Sequence, residues 1–245
     1  MMTSLWSKIL KPVGLDLRHL KKNVIELNDI NELRRVFGWK LQAVLDDPSI
    51  YEYRYVEDAN QRRLRDAECL ATVVRNVRPS LCVDIGTSTG HSAALMAVNA
   101  PDAEIFTINI SAKQISDGHG GALTTVALGQ EQIGSYFRER GLKNITQLIG
   151  NTKDWEPKIG SIDVAFVDAC HDSEFVYNDT RKLLKHMKSG SFILWHDFNI
   201  DLIQNYHWIY SVSLGVEKLV AKGLVHDRIF HVRDSWVGVY RVPGK

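Results

Sequence analysis

The residues in this chain that could do chemistry fall at the ends of apolar runs. Residues 81–92, Leu-Cys-Val-Asp-Ile-Gly-Thr-Ser-Thr-Gly-His-Ser, pass from a β-branched stretch through Asp84 to Gly86 and Gly90, then to small residues able to open a helix. That is the pattern of a buried parallel strand turning into a helix around a ligand. The two glycines permit a tight bend and a close backbone approach. A carboxylate at the strand's end would repel a pyrophosphate and suits a ligand carrying ammonium or sulfonium groups. Farther on, Asp168 closes another apolar run with His171 three residues later, and Trp195 is followed by His196 and Asp197. Two imidazoles beside two carboxylates can hold a cation or move a proton at neutral pH.

Regular alternation supplies the elements that would position these groups. An apolar stripe of Leu64, Ala67, Leu70, Ala71 and Val74 predicts a helix over 58–77, closed by Pro79. Strands are predicted at 81–85, 104–110, 144–149, 162–168 and 191–195, with helices at 90–99, 129–140, 173–187 and 204–222 between and after them. Segments 228–232 and 236–241 read as an antiparallel edge hairpin. The reading is a doubly wound, mostly parallel α/β sheet of seven strands with helices on both faces. In such a sheet ligands sit beyond the carboxyl ends of the strands, near the switch point. Those ends carry Asp84, Asn109, the run Gly150-Asn151-Thr152, Asp168 and His196-Asp197.

Composition narrows the class. The 245 residues suffice for one large domain, residues 61–245, preceded by a helical lead-in over 1–60. Net charge is +1, so nothing favours nucleic acid as a partner. Cys69, Cys82 and Cys170 have neither zinc nor disulfide spacing, which fits a reducing cytoplasm. No apolar run approaches the ~20 residues of a membrane span. In the lead-in, Trp6, Ile9, Leu10, Leu15, Leu17 and Leu20 alternate with Lys8, Lys11, Arg18, Lys21 and Lys22. That amphipathic pattern suits packing on the core or on a second subunit, giving a homo-oligomer, better than lying on a membrane.

At residues 81–92 the chain resembles the class I S-adenosylmethionine-dependent methyltransferases, whose first motif is an acid followed by spaced glycines. Ser88 stands where the common pattern has its middle glycine, a departure that the catechol O-methyltransferase branch shares. A second resemblance lies in Phe-Val-Asp-Ala-Cys-His (166–171), Asp179, Gly190 and Trp-His-Asp (195–197), which is similar to methyltransferase family 24. Together the motifs cover about residues 80–200 and imply a Rossmann-like methyltransferase fold of seven strands.

The resemblance implies roles for particular positions. Asp84, Gly86, Thr87, Ser88 and Gly90 would hold the methionine end of S-adenosylmethionine, with Ser88 and Ser92 offering hydroxyls to its carboxylate. The helix opening after Gly90 would present free N–H groups to the same carboxylate. Asn109 stands where an acid usually binds the ribose hydroxyls. A neutral amide there forgoes charge assistance of about 1 kcal/mol. Asn151 and Thr152 would lie beside the adenine, and Asp168 at the transfer point.

Methyl transfer requires the acceptor to be aligned in line with the sulfonium and, for a hydroxyl, deprotonated. A divalent cation, magnesium or manganese, on Asp168, His196 and Asp197 would do this, the histidine making the site softer than magnesium prefers. Alternatively His171 or His196 acts as general base. The stretch Asp117-Gly-His-Gly-Gly121 reads as a flap, with His119 solvated. Trp155, Trp195, Tyr206 and Trp208 are candidates for the walls of an acceptor pocket. The reading is a cytoplasmic O-methyltransferase acting on a small molecule or glycan precursor. The rivals are a metal-dependent hydrolase or hydroxylase on the same sheet, and a catalytically degenerate scaffold motivated by Asn109.

Overall fold

Strands and helices alternate along the chain in the computed structural model, which describes residues 17–51, 56–123 and 128–244. The strands are β1 (Val24–Leu27), β2 (Leu81–Ile85), β3 (Glu104–Asn109), β4 (Ile145–Ile149), β5 (Ile162–Val167), β6 (Met187–Trp195), β7 (Ile229–Val232) and β8 (Gly238–Arg241). The helices are α1 (Arg18–Asn23), α2 (Ile30–Phe37), α3 (Arg62–Val77), α4 (His91–Asn99), α5 (Ala112–Ser116), α6 (Ser135–Glu139), α7 (Ser173–Leu184) and α8 (His207–Ala221). They build one sheet in the order β1-β7-β8-β6-β5-β2-β3-β4. Every pairing is parallel except those of β8, which runs antiparallel to both β6 and β7.

The chain walks outward from β2 to β3 to β4, then returns to place β5 on the other side of β2. The winding therefore reverses between β2 and β5, and the ends of these two strands flank the switch point. Alternate residues enter two apolar layers. Cys82, Val164, Phe166, Phe192 and Leu194 pack toward α3 and α4. Val83, Ile85, Ile193 and Trp195 pack toward α7 and α8. Burial on both faces explains why these strands read as continuous apolar runs.

The doubly wound α/β reading is borne out, with differences that have physical causes. The sheet has eight strands, because β1 lies inside the lead-in expected to be helical and pairs in parallel with β7. The β7–β8 pair is antiparallel as expected, but it lies inside the sheet, with β1 outside it. The helix expected over 129–140 shrinks to α6, since Gly134 takes a left-handed φ of 71° and the helix can start only after it. Helix α7 ends at Leu184, and Met187 already belongs to β6. Gly190 therefore lies within a strand whose pairing with β5 shifts register. Of the lead-in's apolar residues, Trp6, Ile9, Leu10 and Leu15 lie outside the described residues, while Leu17 and Leu20 are buried in the α7–α8 layer. The Glu217 carboxylate of α8 fastens this segment by accepting the Leu20 N–H at 2.6 Å. No described helix is long and apolar enough to cross a membrane.

Leu183 is fully buried between α7 and the sheet. Leu183→Ala should lower the unfolding free energy by about 2–5 kcal/mol in urea titrations, with the slope on denaturant unchanged.

Candidate active site

The end of β2 meets the end of β5 at backbone contact. The Asp168 N–H donates to the Ile85 carbonyl at 2.8 Å. Gly86 follows with φ 108°, and a Cβ there would lie 1.9 Å from the Asp168 carbonyl oxygen. No L side chain fits that space, so the glycine is required by contact as well as by conformation. Ser88, at the position where a glycine is commoner, holds a left-handed φ of 48°. Its N–H donates to Asn109 Oδ1 at 3.0 Å, while Asn109 Nδ2 donates to the Ile110 carbonyl at 2.7 Å. The amide thus braces the bend after β2 and its own following residue. A carboxylate at 109 could not make the second bond, having no donor.

Asp84 does not reach the ligand space. It is fully buried and is absent from the walls of both cavities described below. The expectation that it hooks a cationic ligand directly is corrected by this placement. Its Oδ2 accepts the Thr107 hydroxyl at 2.7 Å, which leaves the Thr87 hydroxyl to donate to Thr107 Oγ1, also at 2.7 Å. Gln147 Nε2 completes the chain by donating to Thr87 Oγ1 at 3.1 Å. Asp84 therefore anchors the bend from below, through strands β3 and β4. Burial pushes its carboxyl up to about 7, against the opposing pull of hydroxyl bonds from Thr107 and Ser92. Gly90 also stands behind the wall, closed off by the Phe137 ring.

Two cavities open at the switch point. The first, about 210 Å³, is bounded by Ser88, Asn109, Asn151, Thr152 and His171. The second, about 260 Å³, is bounded by Thr87, Ser92, Arg62, Arg63, Asp66 and His196. Gly86, Ser88 and Asp168 belong to both. The floor of the first is held by Lys182, whose buried ammonium donates to the carbonyls of Thr152, Lys153 and Trp155 at 2.9, 2.7 and 2.8 Å. Asn151 Nδ2 donates to the His119 carbonyl at 2.8 Å, tying the expected flap to the end of β4. The His119 side chain is exposed, and Gly120 joins the first cavity's wall.

Between the cavities lies a network of imidazoles and carboxylates. His171 Nε2 is 2.8 Å from Asp197 Oδ2. His196 Nδ1 is 3.1 Å from Asp168 Oδ1 and 3.4 Å from Asp197 Oδ2, while its Nε2 is 3.2 Å from Asp66 Oδ2. Asp66 is held in turn by Arg62 Nη1 at 2.7 Å and the Trp236 N–H at 2.6 Å. Burial favours neutral imidazoles, but the neighbouring carboxylates outweigh it and raise His171 above its usual value and His196 well above. Burial would likewise raise Asp197, yet His196 and His171 hold it far below the carboxylate range. One ligand atom each from Asp168, His171 and Asp197 lie within 4.8 Å of one another. That set differs from the expected Asp168, His196 and Asp197 by exchanging one imidazole for the other. His196 still fits a cation's surroundings, because Asp66 takes its Nε2 and Nδ1 points at the same two carboxylates.

Several contributors were not foreseen. Asp66, Arg62 and Arg63 come from the first turns of α3, where only the apolar stripe had been read. The available signal was an acid beside the buried Ala67, four residues after an arginine. Lys182 and Gln147 act through distant carbonyls and hydroxyls and leave no local signature. None of the four candidate aromatics lines either cavity: Trp195 is fully buried beneath α7 with Nε1 donating to Thr180, and Trp155 packs on the same layer. Tyr206 contacts Trp208 and Trp236, at ring-centre distances of 4.9 and 5.3 Å.

In comparison with known proteins, the profile of the methyltransferase domain family matches residues 83–198. No curated protein matches the chain in sequence. Among solved structures, the methyltransferase PaMTH1 of Podospora anserina, bound to S-adenosylhomocysteine, is similar over 89% of this chain and 97% of its own, with 18% identity and a TM-score of 0.54. The O-methyltransferase NovP covers 85% and 93%, with 15% identity and a TM-score of 0.57. TomG of Streptomyces achromogenes, an O-methyltransferase solved with S-adenosylmethionine, covers 96% and 93%, with 15% identity and a TM-score of 0.52. At these identities the likeness establishes the fold, which is the Rossmann-like methyltransferase fold.

Asp84 provides a check on the buried polar chain. Its carboxyl rises from 3.8 to about 7 on folding, so the folded state binds that proton more tightly and loses stability as pH climbs through this interval. Asp84→Asn keeps an acceptor for Thr107 but cannot ionise. Relative to wild type, its unfolding free energy should increase between pH 4.5 and pH 8, measured by urea titration at each pH.

Proposed function

From a methyltransferase-domain match over residues 83–198 and a fold shared with S-adenosylmethionine enzymes, we propose that this chain O-methylates a small molecule or glycan precursor. The observation that carries the proposal is the meeting of two cavities at Gly86 and Asp168, where the sheet's winding reverses. One cavity suits the donor's nucleoside. The other takes its amino-acid end and, next to it, the acceptor.

In this reading Asn151 and Thr152 lie along the adenine and Asn109 reaches the ribose. Since the Asn109 amide already serves Ser88 and Ile110, its grip on the ribose is weaker than an acid's would be. Ser88 and Ser92, with Gly86, Thr87 and the α4 opening after Gly90, receive the methionine end. Transfer breaks the sulfonium S–CH₃ bond and forms an O–CH₃ bond on the acceptor. S-adenosylhomocysteine leaves as a neutral thioether, and the hydroxyl's proton must go to a base.

His196, on the wall of the second cavity, is one candidate base, and His171, on the wall of the first, is the other. His171 Nε2 faces Asp197, which fixes the tautomer and leaves Nδ1 as the atom to take a proton. A divalent cation held by Asp168 and Asp197 with His196 or His171 would lower the hydroxyl's pKa and fix its position, the imidazole favouring manganese over magnesium. Cation binding would displace protons from these raised imidazoles, so affinity for the metal should increase with pH.

Calorimetric titration with S-adenosylmethionine and S-adenosylhomocysteine, with and without magnesium or manganese, tests the proposal. Binding is expected, and its absence under every condition would overturn it. Gly86→Ala should abolish that binding, because the added carbon would meet the Asp168–Ala169 backbone, which cannot retreat. His171→Asn should slow transfer to a hydroxylated acceptor panel by about 10²–10⁴-fold at saturating donor, read from labelled methyl incorporation. In wild type, transfer should climb with pH through a value above the ordinary histidine 6.5, since only the deprotonated imidazole accepts a proton.

A further inference from the structure

Two arginines stand on the wall of the second cavity, and one of them has no acid beside it. Arg62 is paired with Asp66 at 2.7 Å, and Asp168 faces His196 at 3.1 Å. Each acid on this wall thus already has a nitrogen partner. Arg63, one residue into α3, lines the same cavity beside Tyr51 and has no hydrogen bond or ion pair among the described residues. Its Nε is shut off from solvent with no acceptor. Arg34, Arg62 and Arg75 also bury an Nε without an acceptor, but Arg34 and Arg75 line neither site cavity and Arg62 already holds Asp66 through Nη1. A guanidinium is always charged, and its planar fork matches a carboxylate through two parallel N–H···O bonds. Arg63 is therefore the arginine on this wall left without an anion.

We infer that Arg63 receives the carboxylate of the methyl donor's amino-acid end. The inference rests on the donor-binding reading above. A nucleoside seated in the first cavity can send its amino-acid arm across Gly86, which belongs to both cavities, into the second. The only anion on that arm is its carboxylate. Arg63 stands outside the 83–198 segment that matches the methyltransferase domain, so this contact is contributed by the helix that precedes the first motif. It gives the donor a charged partner at one end, where the ribose end has only the neutral Asn109. Affinity that an acid at 109 would supply through the ribose is then carried by the amino-acid end.

The test compares two ligands on two proteins by calorimetry. S-adenosylhomocysteine has the carboxylate, whereas 5′-methylthioadenosine keeps the nucleoside thioether and lacks the amino-acid arm. Arg63→Gln should weaken S-adenosylhomocysteine binding about 10- to 100-fold, as expected for loss of charge-assisted hydrogen bonds, and leave 5′-methylthioadenosine within about twofold. Arg63→Lys should fall between, restoring charge without the fork. Unchanged S-adenosylhomocysteine affinity in Arg63→Gln overturns the inference alone. Equal weakening of both ligands also overturns it, since the effect would then be general to the site. A wild-type protein that binds neither ligand overturns the donor-binding reading, and this assignment with it.

Discussion

The site depends on the closeness of two strand ends. Strands β2 and β5 stop side by side at the switch point, with the Asp168 N–H on the Ile85 carbonyl and no room at residue 86 for a single carbon atom. That contact brings Asp168 within reach of both cavities and aims the following loop, with His171, at the same space. It also makes Gly86 the wall common to both cavities. A wider gap would part the two cavities; a side chain would block the passage between them. The core behind the contact is apolar on both faces, so the strands are held by packing on either side and cannot easily drift apart.

Polar groups near this contact are ordered by who can donate to whom. The chain from Gln147 through Thr87 and Thr107 ends on Asp84, an acceptor buried deeply enough to have its acidity blunted. Each hydroxyl gives one proton and takes one, so the bend after β2 is pinned by three strands at once. Above it, His171 and His196 share Asp168, Asp197 and Asp66, and the acid–base balance of the network lies with the carboxylates. A carboxylate in a low-dielectric site raises a neighbouring imidazole even where burial alone would depress it. The two networks have opposite characters: the lower one resists ionisation, and the upper one is built from charges.

Much of this was legible in the chain. Apolar runs ending in polar residues located β2, β3, β4, β5 and β6 to within a few residues, because strands buried on both faces have no other way to read. The gathering of Asn109, Asn151, Thr152, Asp168, His171 and Asp197 at one rim followed from topology alone. What sequence could not show was direction. Asp84 sits in the motif but points into the core, since a strand's side chains alternate and its neighbours Val83 and Ile85 pack on the opposite layer. Strand β1 was missed because four residues with mixed exposure, Val24–Leu27, carry no alternation strong enough to outweigh basic, helical surroundings. Asp66 and Lys182 escaped for another reason: their partners are distant in sequence, and nothing in a helix period announces a contact with another element's backbone.

Strand β1 bears on how the molecule is made. Val24 pairs with Ile229 and Leu27 with Val232, so roughly two hundred residues separate partners that lie side by side in the sheet. Synthesis proceeds from the amino end, and this strand must wait, its hydrogen-bonding edge open, until β7 has emerged. Assembly of that flank is consequently a late event in maturation, dominated by loop closure. Until then the strand edges that β1 and β7 offer each other stay open to pairing with another strand.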